Sequence, residues 1–356
     1  MMSPEIHPAP SAQSFSALAR ATKADVDLAL LTLAKAHTER AAALSPDAGM
    51  VIGALFELAT RGGKRLRPAL LAASYVANGG EGGPRAVVDA GVAFEVLQAY
   101  LLIHDDWMDD DDVRRGGPSV HAALRERFDD RATGDACAIL AGDFAVGLAL
   151  EVLASVKVPP ARMVAAVREF ATMQTEVVTG QILDVRGAAT TPAGVETVHR
   201  LKTSSYTARA PLAMGAILAG ASDDVASALR AIGDPMGIAF QLQDDLLGTF
   251  GDSEKTGKSA RSDLRRGKRT ALIAELEGDR HSAQLLPRVL GVIDAPDEEV
   301  DALIRRMVDS GAKARVEARL AALLADARAG IERLPLRAEG KALLQGAVDA
   351  LLGREK

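Results

Sequence analysis

The chain has 356 residues, of which 48% are hydrophobic but only 3% aromatic, so it can bury a large core of aliphatic side chains. Its formal net charge of −6 argues against a protein that binds nucleic acid electrostatically. One cysteine excludes a disulfide within the chain, and we expect a cytoplasmic protein. We expect neither a signal peptide nor a membrane-spanning segment, because apolar charge-free stretches such as 68–80 and 210–222 have only 13 residues.

Helical periodicity recurs between Gly/Pro breaks along the chain, whereas runs with the period of a strand are scarce. The apolar spacing predicts helices over residues 22–44, 48–61, 66–77, 84–113, 118–129, 135–154, 160–186, 195–220, 222–250, 269–277, 282–293, 297–310, 312–332 and 337–352. No intervening break is long enough for a domain linker. We therefore expect a flexible N-terminus over 1–16 and one all-α domain over 17–356, with antiparallel helices around a central cavity.

The most unusual segment is an acidic cluster that directly follows an apolar run. Six aspartates occupy positions 105–112, and Asp105 and Asp109 lie four residues apart, on one face of the predicted helix. Two carboxylates about 5–6 Å apart repel by roughly 3 kcal/mol at an effective dielectric near 20, so a cation must offset them. Clustered oxygens suit Mg²⁺, which also accepts phosphate oxygens. The segment predicts a magnesium–diphosphate site, whereas Asp110, Asp111 and Asp112 are expected in solvent or paired with arginines.

A second acidic pair and several basic segments complete the pattern. Asp244 and Asp245 also end an apolar, helix-period stretch. Four cations in residues 61–67 adjoin Gly62 and Gly63, and further basic segments follow each acidic cluster. The first cluster lacks the Gly and Glu of an EF-hand loop, and no P-loop spacing occurs anywhere. Phosphate would therefore be held by cationic side chains and by metal ions.

From about residue 20 to the C-terminus, the chain resembles the trans-isoprenyl diphosphate synthases, the polyprenyl synthetase family. The order and spacing of its motifs carry the resemblance, and no single motif would be specific. The motifs are residues 62–68 (GGKRLRP), 105–109 (DDWMD), 114–116 (RRG), 180–184 (GQILD), 202–203 (KT) and 240–245 (FQLQDD). The resemblance implies a homodimer with the isoprenoid synthase fold. It also implies that isopentenyl diphosphate is condensed head-to-tail with dimethylallyl, geranyl or farnesyl diphosphate through magnesium-assisted ionisation.

The resemblance further implies a role for each motif residue. Asp105 and Asp109 would bind two magnesium ions with Asp106 supporting them, and Asp244 would help to hold a third. The allylic diphosphate would contact Arg114, Lys202 and Lys258, and isopentenyl diphosphate would contact Lys64, Arg67 and Arg115. Thr203 and Gln241 would lie beside the developing cation, where their oxygen dipoles stabilise it. Gln181 and Asp184 would line the same cavity, and the departing diphosphate would accept the proton.

The chain departs from the family pattern at two positions. Gln98 stands where a histidine often contacts isopentenyl diphosphate; an amide can still donate a hydrogen bond but supplies no charge. Gly248 stands where the second aspartate motif carries its third acid, and Asp252 is a possible substitute beyond a predicted break. The third metal site therefore depends mainly on Asp244.

Product length is expected to depend on the residues one or two turns before the first aspartates. Tyr100 is the large residue at this place, with Leu101 beside it. In the family, an aromatic residue here together with the short first motif is typical of geranylgeranyl (20-carbon) synthases. We therefore expect geranylgeranyl diphosphate, with a farnesyl or a longer-chain synthase as the alternative.

Three other classes of protein share part of this pattern. A class I terpene cyclase shares the first motif but does not need the isopentenyl diphosphate residues Lys64, Arg67 and Arg115. A non-catalytic prenyl synthase subunit should have lost acidic-motif residues that are present here. A helical calcium-binding or scaffold protein would bind ions without depending on diphosphate.

Overall fold

The computed structural model describes residues 10–187, 189–251, 264–277 and 279–352. The chain divides into two compact units. The first comprises Met1–Glu169, Pro211–Ala226 and Leu336–Ala347, and the second comprises Phe170–Ala210, Ser227–Pro335 and Val348–Lys356. We describe each unit by itself.

Helices dominate both units. The helices are α1 (Pro10–Leu44), α2 (Pro46–Thr60), α3 (Leu66–Ala77), a 3₁₀ segment (Gly83–Val87), α4 (Val88–Met108), α5 (Val120–Phe128), α6 (Arg131–Ala154), α7 (Pro160–Val185), α8 (Pro192–Val198), a π-helical segment (His199–Arg209), α9 (Ala210–Ala219), α10 (Asp223–Phe250), α11 (Ala271–Ala274), α12 (Ser282–Val289), α13 (Asp297–Asp309), α14 (Ala312–Arg333) and α15 (Ala338–Leu352). The described part of the chain has only two strands, β1 (Val113–Arg114) and β2 (Gly117–Pro118). The all-α prediction is confirmed. Helix α1 begins inside the segment 1–16, for which we expected flexibility, and residues 1–9 lie outside the described residues.

Helix α4 forms the centre of the first unit. It packs against α3 and α6, and its residues 90–97 are all buried. Because this stretch is apolar on every side except for Glu95, it suits a helix surrounded by others rather than one on a surface. Phe94, Leu97 and Ile103 are among its fully buried side chains. The packing fixes the direction in which the acidic C-terminal end of α4 leaves the core.

Two segments, Gly83–Met108 and Arg131–Ala154, have the length and apolar composition of a membrane-crossing helix. Buried residues make up 61% of the most apolar window in the first and 44% in the second. A core helix of a water-soluble protein passes the same test, so this composition alone does not establish a membrane span.

The first acidic cluster ends helix α4, so the predicted helix over 84–113 is too long. Asp109 caps the helix, and Asp110 has a left-handed φ of 51°. Consecutive carboxylates at a helix C-terminus oppose the helix dipole, which favours termination there. Strands β1 and β2 then pair antiparallel around Arg115 and Gly116, whose φ values of 52° and 73° suit a two-residue hairpin turn.

The predicted helix over 195–220 is interrupted by the π-helical segment in the second unit. The wider π turns cover His199–Arg209 and therefore include Lys202 and Thr203. Segments of this kind are rare and often mark functional sites. Gly180 of α7 lies directly against this segment, because a Cβ there would come 2.3 Å from the backbone nitrogen of Lys202.

Candidate active site

In the first unit, the acidic motif lies at the last turn of α4 and just beyond it. The backbone N–H of Asp109 donates to the carbonyl of Asp105 at 2.9 Å, so the two residues lie on successive turns of one face. Asp109 is exposed, Asp105 is partly exposed, and Asp106 is fully buried. The motif thus presents two accessible carboxylates beside one that the protein encloses.

Arg114 of the hairpin binds the enclosed carboxylate. Its Nε donates to Asp106 Oδ1 at 2.7 Å, and its Nη2 contacts the same oxygen. Asp105 lies 3.9 Å and Asp111 3.8 Å from the Arg114 guanidinium. Burial acts to lower the pKa of Arg114, but the hydrogen bond and charge of Asp106, with the charges of Asp105 and Asp109, raise it overall. Asp106 and Arg114 therefore join the hairpin to the metal motif.

The oxygen donors of this motif fit a hard divalent cation. Asp105 and Asp109 offer carboxylate oxygens on one helix face, and the exposure of Asp109 leaves room for water and phosphate ligands. Asp106 is already engaged by Arg114. Asp105 and Asp109 are therefore the residues of this motif that could hold a metal ion directly, and Asp106 could support them.

The remaining aspartates of the cluster pair with arginines, as predicted. Arg125 and Arg131 donate to Asp110 Oδ1 at 3.0 and 3.2 Å, and Arg125 lies 3.7 Å from Asp112. The hydrogen bond from Arg125 is the largest cause of the lowered pKa of Asp110. Ligand atoms of Asp110, Asp112 and His121 lie within 4.8 Å of one another, as a metal site would require. Arg125 already provides the positive charge at this place.

A group of cations lies near the turn of the hairpin. Lys64 is exposed, Arg67 is buried, and Arg115 is half-buried. Burial and the nearby charges of Arg65, Arg67 and Arg114 lower the pKa of Arg115, and Glu95 opposes them only partly. Arg115 forms no ion pair with any residue that the structure describes. This concentration of positive charge is suited to binding an anion.

Arg65, inside the same group, has a structural role. It donates to Glu95 at 2.6 Å and to Asp27 at 2.7 Å, and only 2% of its side chain is exposed. Sequence reasoning counted Arg65 among the cations of the motif and did not foresee this ion-pair network. The pairs join α1, α3 and α4, and leave Lys64, Arg67 and Arg115 as the candidate anion-binding residues.

The predicted chain-length residues lie on α4. Tyr100 is half-buried, with its ring edge-on to His104 at a centroid distance of 4.7 Å. Leu101 and Gln98 are also half-buried. His104 Nε2 lies 3.1 Å from the carbonyl of Ile139, so His104 contacts the neighbouring helix α6.

In the second unit, the π-helical segment, α7 and α10 bring predicted residues together. Lys202 Nζ donates to Asp184 Oδ2 at 2.6 Å, and the Thr203 hydroxyl donates to Gln241 Oε1 at 3.1 Å. Gln181 and Asp244 are half-buried on α7 and α10. The remaining predicted positions here, Lys258 and Asp252, lie outside the described residues.

Two further residues adjoin this group and had no assigned role. Asp245 is buried, accepts from Gln241 Nε2 at 3.1 Å and accepts the backbone N–H of Ala271 at 3.0 Å. His199 is also buried, with Nε2 3.6 Å from Asp245 Oδ2. In the sequence, the signal for these two residues is their spacing from predicted site residues. Asp245 lies four residues after Gln241, and His199 lies three residues before Lys202.

Comparison with known proteins relates these groups to a family. Residues 50–307 match the family described as Polyprenyl synthetase. The chain is 37% identical over 258 residues to the geranylgeranyl diphosphate synthase of Methanosarcina mazei, covering 71% of this chain and 74% of that protein. It is 36% identical over 313 residues to the geranylfarnesyl diphosphate synthase of Natronomonas pharaonis, covering 82% and 86%.

The fold agrees with this relationship. A geranylgeranyl pyrophosphate synthase from Corynebacterium glutamicum, solved with isoprenyl diphosphate and magnesium, is similar with a TM-score of 0.84 and 31% identity. The match covers 92% of this chain and 97% of that one. The predicted all-α isoprenyl synthase fold is thereby confirmed. The chain belongs to the polyprenyl synthetase family and is a prenyltransferase.

Proposed function

We propose that this enzyme condenses isopentenyl diphosphate head-to-tail with an allylic diphosphate and releases geranylgeranyl diphosphate. One observation carries the proposal. The hairpin joins the carboxylates of Asp105 and Asp109 to Arg115, a half-buried cation that forms no ion pair with the described residues. An acidic motif beside positive charge that Glu95 compensates only partly is suited to two diphosphate substrates. The magnesium and isoprenyl diphosphate bound by the Corynebacterium glutamicum protein support this proposal.

Magnesium ions, when bound, would stabilise the charge that develops on the leaving diphosphate. Asp105 and Asp109 would hold two ions and Asp244 would help to hold a third. The Arg114 side chain would face the allylic diphosphate while Asp106 fixes its guanidinium, and Lys202 and Lys258 would add positive charge. Lys64, Arg67, Gln98 and Arg115 would hold isopentenyl diphosphate.

The neutral polar groups of the second unit suit the carbocation that forms when the allylic C–O bond breaks. Thr203 and Gln241 would direct oxygen dipoles at this cation without attacking it, which is the electrostatic contribution the reaction needs. The double bond of isopentenyl diphosphate would attack the cation. The departing diphosphate would then accept the proton.

We propose the 20-carbon product because Tyr100 occupies α4 just before a short aspartate motif. The similarity to the Methanosarcina mazei geranylgeranyl diphosphate synthase supports this length. The geranylfarnesyl diphosphate synthase of Natronomonas pharaonis supports a longer product as the alternative.

The decisive experiment is incubation with isopentenyl diphosphate, Mg²⁺ and each of three allylic starters, followed by chromatography of the products. Geranylgeranyl diphosphate from all three starters is expected, and removal of Mg²⁺ with a chelator should abolish it. Asp109→Asn should lower kcat at least about 100-fold. Asp112→Asn is the matched control, because Asp112 lies in the same acidic run but pairs with Arg125, and it should retain activity.

The rival functions predict different results. Cyclised products formed without isopentenyl diphosphate would identify a terpene cyclase. Binding of Mg²⁺ without any turnover of the three starters would favour a non-catalytic subunit or an ion-binding scaffold. Either result would overturn the proposal.

We further propose a cytoplasmic homodimer. Large apolar side chains are exposed on α1 and α6, among them Leu31, Leu140 and Phe144, and burial against a second copy would remove them from water. Light scattering coupled to size-exclusion chromatography should give twice the 37.2 kDa chain mass. A monomer at micromolar concentration would exclude this assembly.

A further inference from the structure

Gln241 is held between a donor and an acceptor in the second unit. Its Oε1 accepts the Thr203 hydroxyl at 3.1 Å, and its Nε2 donates to Asp245 Oδ1 at 3.1 Å. Both ends of the side-chain amide are therefore engaged. The orientation of the amide decides whether Gln241 presents an oxygen or an NH₂ group to its surroundings.

Asp245 can determine that orientation because an ionised carboxylate only accepts hydrogen bonds. With Asp245 on one side, the NH₂ end of Gln241 must face it and the oxygen must face Thr203. A hydroxyl in place of Asp245 could either donate or accept, and would not discriminate between the two orientations.

Asp245 is itself firmly held. Its Oδ2 accepts the backbone N–H of Ala271 at 3.0 Å, at the first residue of α11. His199 Nε2 lies 3.6 Å from the same oxygen, and both side chains are almost completely buried. The Asp245 carboxylate, which belongs to α10, is therefore contacted by two other elements, α11 and the π-helical segment.

We infer that Asp245 is a positioning residue that keeps the Gln241 oxygen directed at the reacting carbon, and that His199 restrains Asp245. The inference rests on the proposed function, in which Gln241 and Thr203 stabilise an allylic cation. A reversed amide would direct the positive end of its dipole at that cation. The expected consequence is slower ionisation, whereas isopentenyl diphosphate binding is unaffected.

The first test is Asp245→Asn, which preserves the size and shape of the Asp245 side chain. The oxygen of the introduced amide can still accept from Ala271, so its NH₂ group must face Gln241 and force that amide to reverse. We expect kcat to fall about 100-fold, the loss typical of a misdirected catalytic group, while KM for isopentenyl diphosphate changes less than about twofold. Titration with Mg²⁺ is the control, because recovery at high Mg²⁺ would assign the effect to the neighbouring Asp244 and overturn the inference.

The second test is rescue by the double variant Asp245→Asn/Gln241→Glu. The introduced glutamate carboxylate accepts both from the NH₂ group of the introduced asparagine and from Thr203, so an oxygen again faces the reacting carbon. Activity should rise at least about tenfold above Asp245→Asn, as expected for strongly coupled neighbours. Gln241→Glu in the wild-type background should not raise kcat. A merely structural Asp245 would give no rescue, and that result would overturn the inference.

Thermal melts followed by circular dichroism show whether Asp245→Asn folds. If it does not, variants of His199 test the inference independently. His199→Phe fills the space but removes the polar contact with Asp245, and should lower kcat about tenfold with unchanged KM. His199→Gln can donate and should recover most of this loss. Equal activity of the two variants would overturn the inference.

Assays of the wild-type enzyme distinguish failure of the proposed function from failure of the positioning inference. If it makes no prenyl product from isopentenyl diphosphate, the proposed function fails. If it is active but the rescue and the His199 pair do not behave as stated, only the positioning inference fails.

Discussion

The guanidinium of Arg61 donates to the backbone carbonyl of Arg114 at 3.0 Å, across 53 positions of sequence. The same Nη1 donates to the carbonyl of Pro118 at 2.8 Å. Gly117 makes this approach possible, because a Cβ there would come 2.6 Å from the Arg61 guanidinium carbon. Arg61 thus holds the hairpin whose turn carries Arg115, although it is not itself a predicted substrate ligand.

Arg61→Ala should raise KM for isopentenyl diphosphate about tenfold, because losing a hydrogen bond to a charged group costs about 1.5–3 kcal/mol and loosens the turn. Gly117→Ala should act in the same direction by displacing Arg61. Steady-state kinetics with varied isopentenyl diphosphate measures both. Arg127→Ala is the matched control, since Arg127 pairs with Glu57 away from the hairpin. A KM unchanged in both test variants would show that the hairpin does not need Arg61.

Removing the charge of Arg115 should weaken substrate binding without destabilising the fold, whereas removing the charge of Arg65 should destabilise the fold. Burial and neighbouring arginines lower the pKa of Arg115, so the fold disfavours its charge, and Arg115→Gln should not lower the melting temperature. The same variant should raise KM for isopentenyl diphosphate at least about tenfold, because losing one hydrogen bond to a charged group costs about 1.5–3 kcal/mol of binding free energy. Arg65→Gln breaks the buried pair with Glu95 and should destabilise by about 3–5 kcal/mol.

Thermal melts with and without pyrophosphate distinguish the two arginines. Pyrophosphate should raise the melting temperature of the wild type by mass action and raise that of Arg115→Gln much less. A large loss of stability in Arg115→Gln would contradict the assignment of Arg115 to substrate rather than to the fold.

Tyr100→Ala should lengthen the product by at least one isoprene unit. The half-buried ring lies against His104 on α4, and its removal would open space one or two turns from the aspartate motif. Tyr100→Phe keeps the ring and should leave product length unchanged. Chromatography of the dephosphorylated products measures both variants, and an unaltered product from Tyr100→Ala would exclude Tyr100 as the floor of the cavity.

Stability should fall as pH decreases through the range in which unfolded histidine titrates. Burial first, and then the charge of Arg125, lower the pKa of His121 despite Asp112, Asp110 and Asp135. The unfolded chain therefore binds more protons than the folded one below about pH 6.5, so the free energy of unfolding decreases there. Melting temperatures between pH 8 and pH 5.5 should drop less in His121→Gln than in the wild type. His199, whose pKa burial also lowers, should account for part of the remaining drop. Identical pH profiles would contradict this role of His121.

Most of the helices could be predicted from local sequence patterns. Helical periodicity depends on residues three and four apart, so α2, α3, α6, α7 and α10 could be predicted within a few residues of their observed bounds. The end of α4 could not, because it depends on how Asp106 pairs with Arg114 and how Arg61 holds the hairpin. The π-helical form of His199–Arg209 also escaped prediction, since its composition is that of an ordinary helix.

The sequence by itself determined the all-α class, the aspartate motifs and the family, because these depend on residue order and short spacing. Only the tertiary structure decided which charges are compensated. Arg65 finds Glu95 across 30 positions and Asp27 across 38, whereas Arg115 in the same group forms no ion pair with the described residues. Likewise, Asp245 accepts from Gln241 four positions before it and from Ala271 26 positions after it, and the second contact depends on how the chain folds. The free energy of a charge depends on its burial and on neighbours distant in sequence, which a linear pattern does not contain.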